Sequence, residues 1–244
     1  MIKQLLTVLL SIGIVSLCHG QTNASDTTVF KQKAGAAISY YVSSISEQAE
    51  IYNGPEYRFL PRSAKGSPYF DDKIDFTNNS LKYNGNWYYN VPLLYDVYKG
   101  ALVSAQPQSK ATYILNDRYV SDFFVYGRHF VYMPAIDSAK SKLREGYYEQ
   151  LYAGKSKVLC KYEKVRIENV STQGVEVTFF DKQTYYVIKG EAVSTVNSKG
   201  SVLDVFSDKK KELNNYLKTI NLDYKENKGA SIAKIAAYYD QISN

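Results

Sequence analysis

The stretch LKYNGNWYYNVPLLYDVYKGALV, Leu81 to Val103, decides the class of fold. Asn84-Gly85 lies between two β-favouring runs and supplies the two left-handed positions that a type I′ hairpin turn requires. Leu81–Tyr83 and Trp87–Val91 are therefore expected to pair as antiparallel strands. Pro92 has no amide proton and is expected to interrupt that ladder, with Leu93–Tyr98 resuming as a further extended run.

Short β runs continue beyond this unit at Ala111–Leu115, Tyr119–Val125 and His129–Met133, broken by Asn116-Asp117 and Gly127. So closely spaced, they leave no room for crossover helices, which predicts antiparallel pairing. Ser138 to Gly146 reads as a long polar connection. A second series follows at Gly146–Ala153, Lys157–Lys161, Val165–Asn169, Val175–Phe180 and Tyr185–Lys189, with Asp181-Lys182 as a weak turn signal. The period then changes. Phe206, Leu213, Leu217 and Ile220 line one helical face behind Ser207 or Asp208, and Ile232, Ile235, Ala236, Tyr239 and Ile242 line another after Gly229. Ile38, Tyr41, Val42, Ile45 and Ala49 give a third face over 34–49. The expected architecture is α+β: a predominantly antiparallel β meander, as a curved sheet or partly open barrel, with an N-terminal helix and two C-terminal helices.

The first twenty residues read as an export signal, because Lys3 precedes an apolar run from Leu5 to Leu17 that suits a signal core and is short for a membrane span. Two treatments of it remain open. Cleavage after Gly20 would remove Cys18; acylation of Cys18 would keep it, although Leu17 stands where a lipobox has a small residue. Residues 21–33 form a polar lead-in and 34–244 one α+β domain, with a sub-boundary at the Pro- and Ser-bearing stretch 61–68. No other apolar run is long enough to span a bilayer, so no transmembrane span is expected after the leader.

With the leader gone, the formal charge of +6 falls to +5, and lysines and acids are mixed throughout. Lys209-Lys210-Lys211 runs straight into Glu212, the pattern of a solvated helix start and not of a nucleic-acid stripe. Without Cys18, Cys160 is a single thiol; its alternating surroundings fit a small buried hydrophobe in a strand better than a reactive group. Asp71, Asp72 and Asp75 lack the spacing and glycine of a calcium loop, so no metal is assigned. His129 is the one histidine after the leader, and neither a serine elbow nor a phosphate-binding glycine loop accompanies it. No catalytic residue and no cofactor are assigned.

The compositional oddity is tyrosine, 24 residues, with pairs at Tyr40-Tyr41, Tyr88-Tyr89, Tyr147-Tyr148, Tyr185-Tyr186 and Tyr238-Tyr239. In a strand each pair sends one ring inward and one outward, and outward rings could form a surface for glycan, peptide or lipid. The alternative is that tyrosine, which favours strands, covers the sheet and little more. The candidate ligand surface is Trp87, Tyr88, Tyr89, Tyr95, Tyr98 and His129.

The run Tyr83-Asn-Gly, Tyr88-Tyr-Asn-Val-Pro-Leu-Leu-Tyr-Asp96, then Phe123, His129-Phe130 and Gly146-Tyr-Tyr-Glu-Gln-Leu-Tyr-Ala-Gly154 resembles a family of exported Bacteroidetes proteins, and Lys199 to Asp223 is similar to that family's tail. The resemblance implies export into a Gram-negative envelope and brings no catalytic residues with it. Three functional classes follow. The first is an envelope or extracellular binding or structural module whose partner is a lipid, a glycan or an envelope protein. The second is a hydrolase using carboxylates such as Asp96 and Asp122 with His129. The third is a subunit of a surface assembly.

Overall fold

A computed structural model describes residues 50–59, 64–106, 108–138, 141–172, 174–220 and 222–243, together with Lys33, Ala37 and Tyr40. The expected leader and the helix expected over 34–49 lie outside these residues, apart from Ala37 and Tyr40. Twelve strands are described: β1 Thr77–Tyr83, β2 Asn86–Asp96, β3 Ala101–Ala105, β4 Thr112–Ile114, β5 Val120–Val125, β6 Arg128–Met133, β7 Ile136–Ser138, β8 Ser141–Leu143, β9 Gly146–Ala153, β10 Ser156–Ser171, β11 Gly174–Lys189 and β12 Ala192–Val196. Ten of them form one open sheet in the order β12-β11-β10-β9-β6-β5-β1-β2-β3-β4, with every pair antiparallel; β7 and β8 make a separate hairpin.

The β1–β2 hairpin turns where expected, with Asn84 at φ 49° and Gly85 at φ 80°, both left-handed as a type I′ turn demands. Four corrections to the sequence reading follow. The ladder does not break at Pro92, which pairs with Asn78; the irregularity lies between Asn79 and Leu81, opposite Asn90 with its φ of 57°, so a bulge bends a continuous strand. The sheet is not a simple meander. β1 to β4 run in sequence order, and β5 then returns to the free edge of β1, so the central hairpin is paired on both sides. The runs on either side of Glu163-Lys164 and of Asp181-Lys182 are not separate strands but two sixteen-residue ones in unbroken register from Ser156↔Lys189 to Ser171↔Gly174. The stretch expected to be a long polar connection contributes β8.

Three helices, not two, close the described chain: α1 Lys199–Val205, α2 Lys210–Thr219 and α3 Lys228–Ile242. α1 begins with a reciprocal cap between Ser198 and Ser201, and Asn227 caps α3 by accepting from the amide of Ala230. Lys210 reaches Asp204 at 2.7 Å, so the lysine run starts a helix as expected.

The core follows from the strand period. On the inner face, Leu81, Tyr83, Tyr88, Leu93, Tyr95, Phe123, Phe130 and Tyr147 form one aromatic cluster, which Ile51, Tyr52 and Phe70 help to fill. The same face continues into Val158, Cys160, Tyr185, Val187 and Val196, which the apolar stripes of α1 to α3 cover. Burying each such side chain contributes on the order of 2 kcal/mol, so this face dominates stability. On the outer face Tyr148, Leu159, Tyr186 and Val193 lie under Leu143 of β8 and Ile136 of β7. Tyr147 and Tyr148 do alternate, but both faces are covered there, so neither ring reaches solvent.

Candidate functional site

The outer face stays open beside the β7–β8 cover, across the strands that carry the turn. Strand register places its side chains. Lys82 of β1 stands opposite Trp87 of β2 on one side and opposite Asp122 of β5 on the other. Phe124 of β5 stands opposite His129 of β6. Directly opposed residues of an antiparallel pair share a face, so these groups form a strip across neighbouring strands.

Two of its ring pairs stack and the pair between them is tilted. Trp87 and Tyr89 have centroids 6.4 Å apart at 28°, Trp87 and Phe124 6.1 Å at 37°, and Phe124 and His129 4.6 Å at 11°. His129 Nε2 is 3.2 Å from Asp122, and its Nδ1 is 3.4 Å from the Gln150 amide. Ser121 donates to the second Asp122 oxygen at 2.8 Å. Both ring nitrogens of His129 are thus engaged, which leaves the imidazole held flat against Phe124 with neither nitrogen aimed at a nucleophile. The result is a shallow aromatic shelf edged by an amide, a carboxylate and an ammonium.

Of the six residues proposed from sequence, Trp87, Tyr89 and His129 come together here. Tyr88 and Tyr95 do not: they are 7% and 1% exposed and point into the inner core, Tyr88 because alternation sends it to the face opposite Trp87 and Tyr89, and Tyr95 because the bulge at Asn90 shifts the alternation beyond it. Tyr98 lies past the end of β2 and packs edge-on against Phe179 at 5.3 Å. Phe124, Lys82 and Gln150 are not singled out by the sequence; the signal for Phe124 is the Tyr126-Gly127 turn, which pairs Val125 with Arg128 and so sets Phe124 against His129.

The other carboxylate considered, Asp96, sits in a different cluster. It is buried, accepts from Tyr57 Oη at 2.6 Å and from the amide of Lys99 at 2.8 Å, and Tyr57 Oη also meets Tyr69 Oη at 3.2 Å. Burial pushes its carboxyl above the ordinary range, against the pull of the Tyr57 bond. Cys160 is buried beneath the helices, and burial raises its thiol to about 12, which removes the thiolate at neutral pH. Asp71 pairs with Lys73 at 2.7 Å and Asp72 with Lys164 at 2.7 Å. Among the described residues no group of three or more metal-ligating side chains gathers.

A cleft of ≈ 370 Å³ opens between the inner face and the start of α3, lined by Arg128, Tyr162, Tyr185, Lys225 and Lys228. Its floor is committed to structure: Arg128 Nε donates to Glu149 at 2.7 Å and an outer guanidinium nitrogen donates to Tyr162 Oη at 2.8 Å, while Lys228 lies over the Tyr185 ring. Burial works against the guanidinium charge, but Glu149 and Tyr162 together outweigh it and hold Arg128 above its usual value. At Gly229 α3 packs tightly on the sheet, since a Cβ there would meet Leu151 at 3.2 Å and Tyr185 at 3.3 Å. No described helix is long and apolar enough to cross a membrane. No family model, curated protein or solved structure matches the chain.

Proposed function

We propose that the protein is an exported, non-catalytic binding module of the cell envelope, and that the strip of Trp87, Tyr89, Phe124 and His129 receives a saccharide. The observation that carries this reading is the run of adjoining rings on an open sheet face, in which Trp87 stacks with Tyr89 and Phe124 with His129, and the two pairs meet at a 37° tilt. Flat rings offer their electron-rich faces to the C–H groups of a sugar, and the edging Asp122, Gln150 and Lys82 are of the kind that bond ring hydroxyls. A lipid would call for a dry enclosed cavity, which a shelf does not provide. The leader sequence and the resemblance to exported Bacteroidetes proteins support the location.

Trp87 is the chain's single tryptophan, so its fluorescence reports the strip without interference. Titrating the protein with soluble envelope polysaccharides and plant or bacterial glucans, mannans and xylans should give a saturable change in emission with at least one of them. Phe124→Ala and Tyr89→Ala, checked for unchanged circular dichroism, should weaken that binding at least tenfold. An emission that no glycan alters, or a change that survives both substitutions, overturns the reading.

A further inference from the structure

The cleft beside the start of α3 lies on the other side of the sheet from the aromatic strip, because Arg128 and His129 are neighbours in β6 and alternation sends them to opposite faces. It marks a seam in the inner core. Tyr162 packs against the aromatic cluster and against the cluster under the helices, and between the two, charged groups replace apolar ones.

Glu149 is the unusual residue of that seam. Only 6% of it is exposed, and both its oxygens are engaged inside the chain, one accepting from Arg128 Nε at 2.7 Å and the other from Tyr162 Oη at 2.7 Å. A carboxylate buried there does little for stability, since an apolar side chain of similar size would serve the core as well or better. What it does accomplish is to hold one guanidinium still. Arg128 is gripped at Nε by Glu149 and at one outer nitrogen by Tyr162 Oη at 2.8 Å, and these two bonds use only part of its donor set. With 42% of its side chain exposed, the rest of that set is left for the cleft.

The facing wall brings two more cations. Lys225 and Lys228 line the cleft, and neither makes an ion pair among the described residues; Lys228 Nζ stands 5.7 Å from the centre of the Tyr185 ring. Their backbone is tied down, since Asp223 accepts from the amides of Lys225 at 2.8 Å and Glu226 at 3.3 Å, and the Ser231 hydroxyl donates to the Asp223 carbonyl at 3.3 Å. Against these cations the described lining carries one acid, Glu226. The side-chain oxygen of Gln183 accepts from Tyr185 Oη at 2.8 Å, which leaves its amide nitrogen to donate into the cleft. Leu151 and the Tyr185 ring supply an apolar side.

We propose that this cleft binds a small organic oxyanion, a carboxylate or a phosphate ester, with its charged group against Arg128, Lys225 and Lys228 and its carbon body against Leu151 and Tyr185. A pre-oriented guanidinium with two ammoniums suits either oxyanion, so the class is defined by those oxygens. The volume of ≈ 370 Å³ is more than inorganic phosphate fills and falls in the range of small-molecule sites. The site goes beyond the saccharide reading and fails separately from it, because its readout is at Arg128 and that of the strip is at Trp87.

The test uses the full chain without the expected leader, in about 0.15 M salt so that weak surface attraction is screened. Calorimetric titration with glucuronate, glucose 6-phosphate, inorganic phosphate and glucose is paired with nuclear magnetic resonance of the Arg128 Nε–H. At least one of the two organic anions should bind saturably, at least tenfold more tightly than phosphate or glucose, and should shift that resonance; which of them does so tells carboxylate from phosphate. Lys225→Gln combined with Lys228→Gln, checked for unchanged circular dichroism, should weaken the binding at least tenfold. Arg128→Lys keeps a charge beside Glu149 but loses the fork, and should weaken it as well. The proposal is overturned if neither organic anion binds, if phosphate or glucose binds as tightly, or if binding survives the loss of both lysines.

Discussion

Tyr95 and Tyr147 meet edge to face with ring centroids 5.9 Å apart, although β1, β5 and β6 lie between their strands β2 and β9. In a flat sheet four strand spacings would hold them ~19 Å apart. The sheet is therefore rolled, and Tyr95, which also touches Phe123 and Phe130 at 5.4 Å and 5.3 Å, is the ring on which the roll closes. Tyr95→Ala should lower unfolding free energy by ~3–5 kcal/mol in urea titrations. The Tyr147 hydroxyl, buried with no hydrogen-bond partner among the described residues, sets up the opposite case. Tyr147→Phe should be neutral or raise stability by up to ~2 kcal/mol, and a clear loss would reveal a partner for that hydroxyl.

Lys161 provides a test in pH. Burial lowers its ammonium to about 8, with Arg144 adding to the fall and Glu163 opposing it, and its Nζ lies 4.5 Å from the centre of the Tyr148 ring. Between about 8 and the ordinary 10.5 the unfolded chain holds the proton more tightly, so this group makes stability rise as pH climbs through that window. Below about 8 the buried charge is a standing cost of at most ~3 kcal/mol, reduced by whatever the tyrosine face returns. Lys161→Met should then be more stable than wild type at pH 7, with the gap closing towards pH 10.5. A constant gap across that range would show that the charge is not the cause.

Lys164, whose buried Nζ lies 2.7 Å from Asp72 and 2.8 Å from Asp181, should respond asymmetrically to loss of its own charge and of theirs. Lys164→Met removes the buried charge and leaves Asp72 and Asp181 in water, which should cost only ~1 kcal/mol. Asp72→Asn with Asp181→Asn strands the ammonium without a counter-charge and should cost ~3–5 kcal/mol. Equal losses in guanidinium unfolding for the two changes would mean that Lys164 stays hydrated.

Gly85 at φ 80° has open space around its missing side chain, so Gly85→Ala tests conformation without a clash. It should cost ~1–2 kcal/mol, and Gly85→Asn should recover part of that, since asparagine tolerates the left-handed region. Thermal unfolding of the three proteins would rank them. Alanine matching glycine would count against the type I′ geometry.

Asn84-Gly85 was legible because turn chemistry is local: two adjacent residues must both take positive φ, and few dipeptides do so readily. The same locality made the stripe of α3, and Leu213 and Leu217 of α2, readable from spacing, whereas Phe206 and Ile220, expected on the same face, lie outside α2, and neither Ser207 nor Asp208 caps it. It failed for α1, whose seven residues include Gly200 and give too short a run for a period to emerge, although Ser198 and Ser201 carried the capping signal. It also failed at Asp181-Lys182, where a turn-like dipeptide stays extended because both flanks pair with β10. In the strip, Trp87, Tyr89 and His129 could be picked out by residue type, but Tyr88 and Tyr95 could not be set aside, since type does not tell which face of a strand is buried.

The sequence by itself determined the antiparallel strands, the central turn and the closing helices, since each depends on neighbours a few positions away. Tertiary structure alone decided that β5 returns to β1, that the sheet rolls until Tyr95 reaches Tyr147, and that Phe124 lies flat against His129 on an open face. Those outcomes depend on which strands pair, and that pairing is set by the packing of residues far apart in the chain.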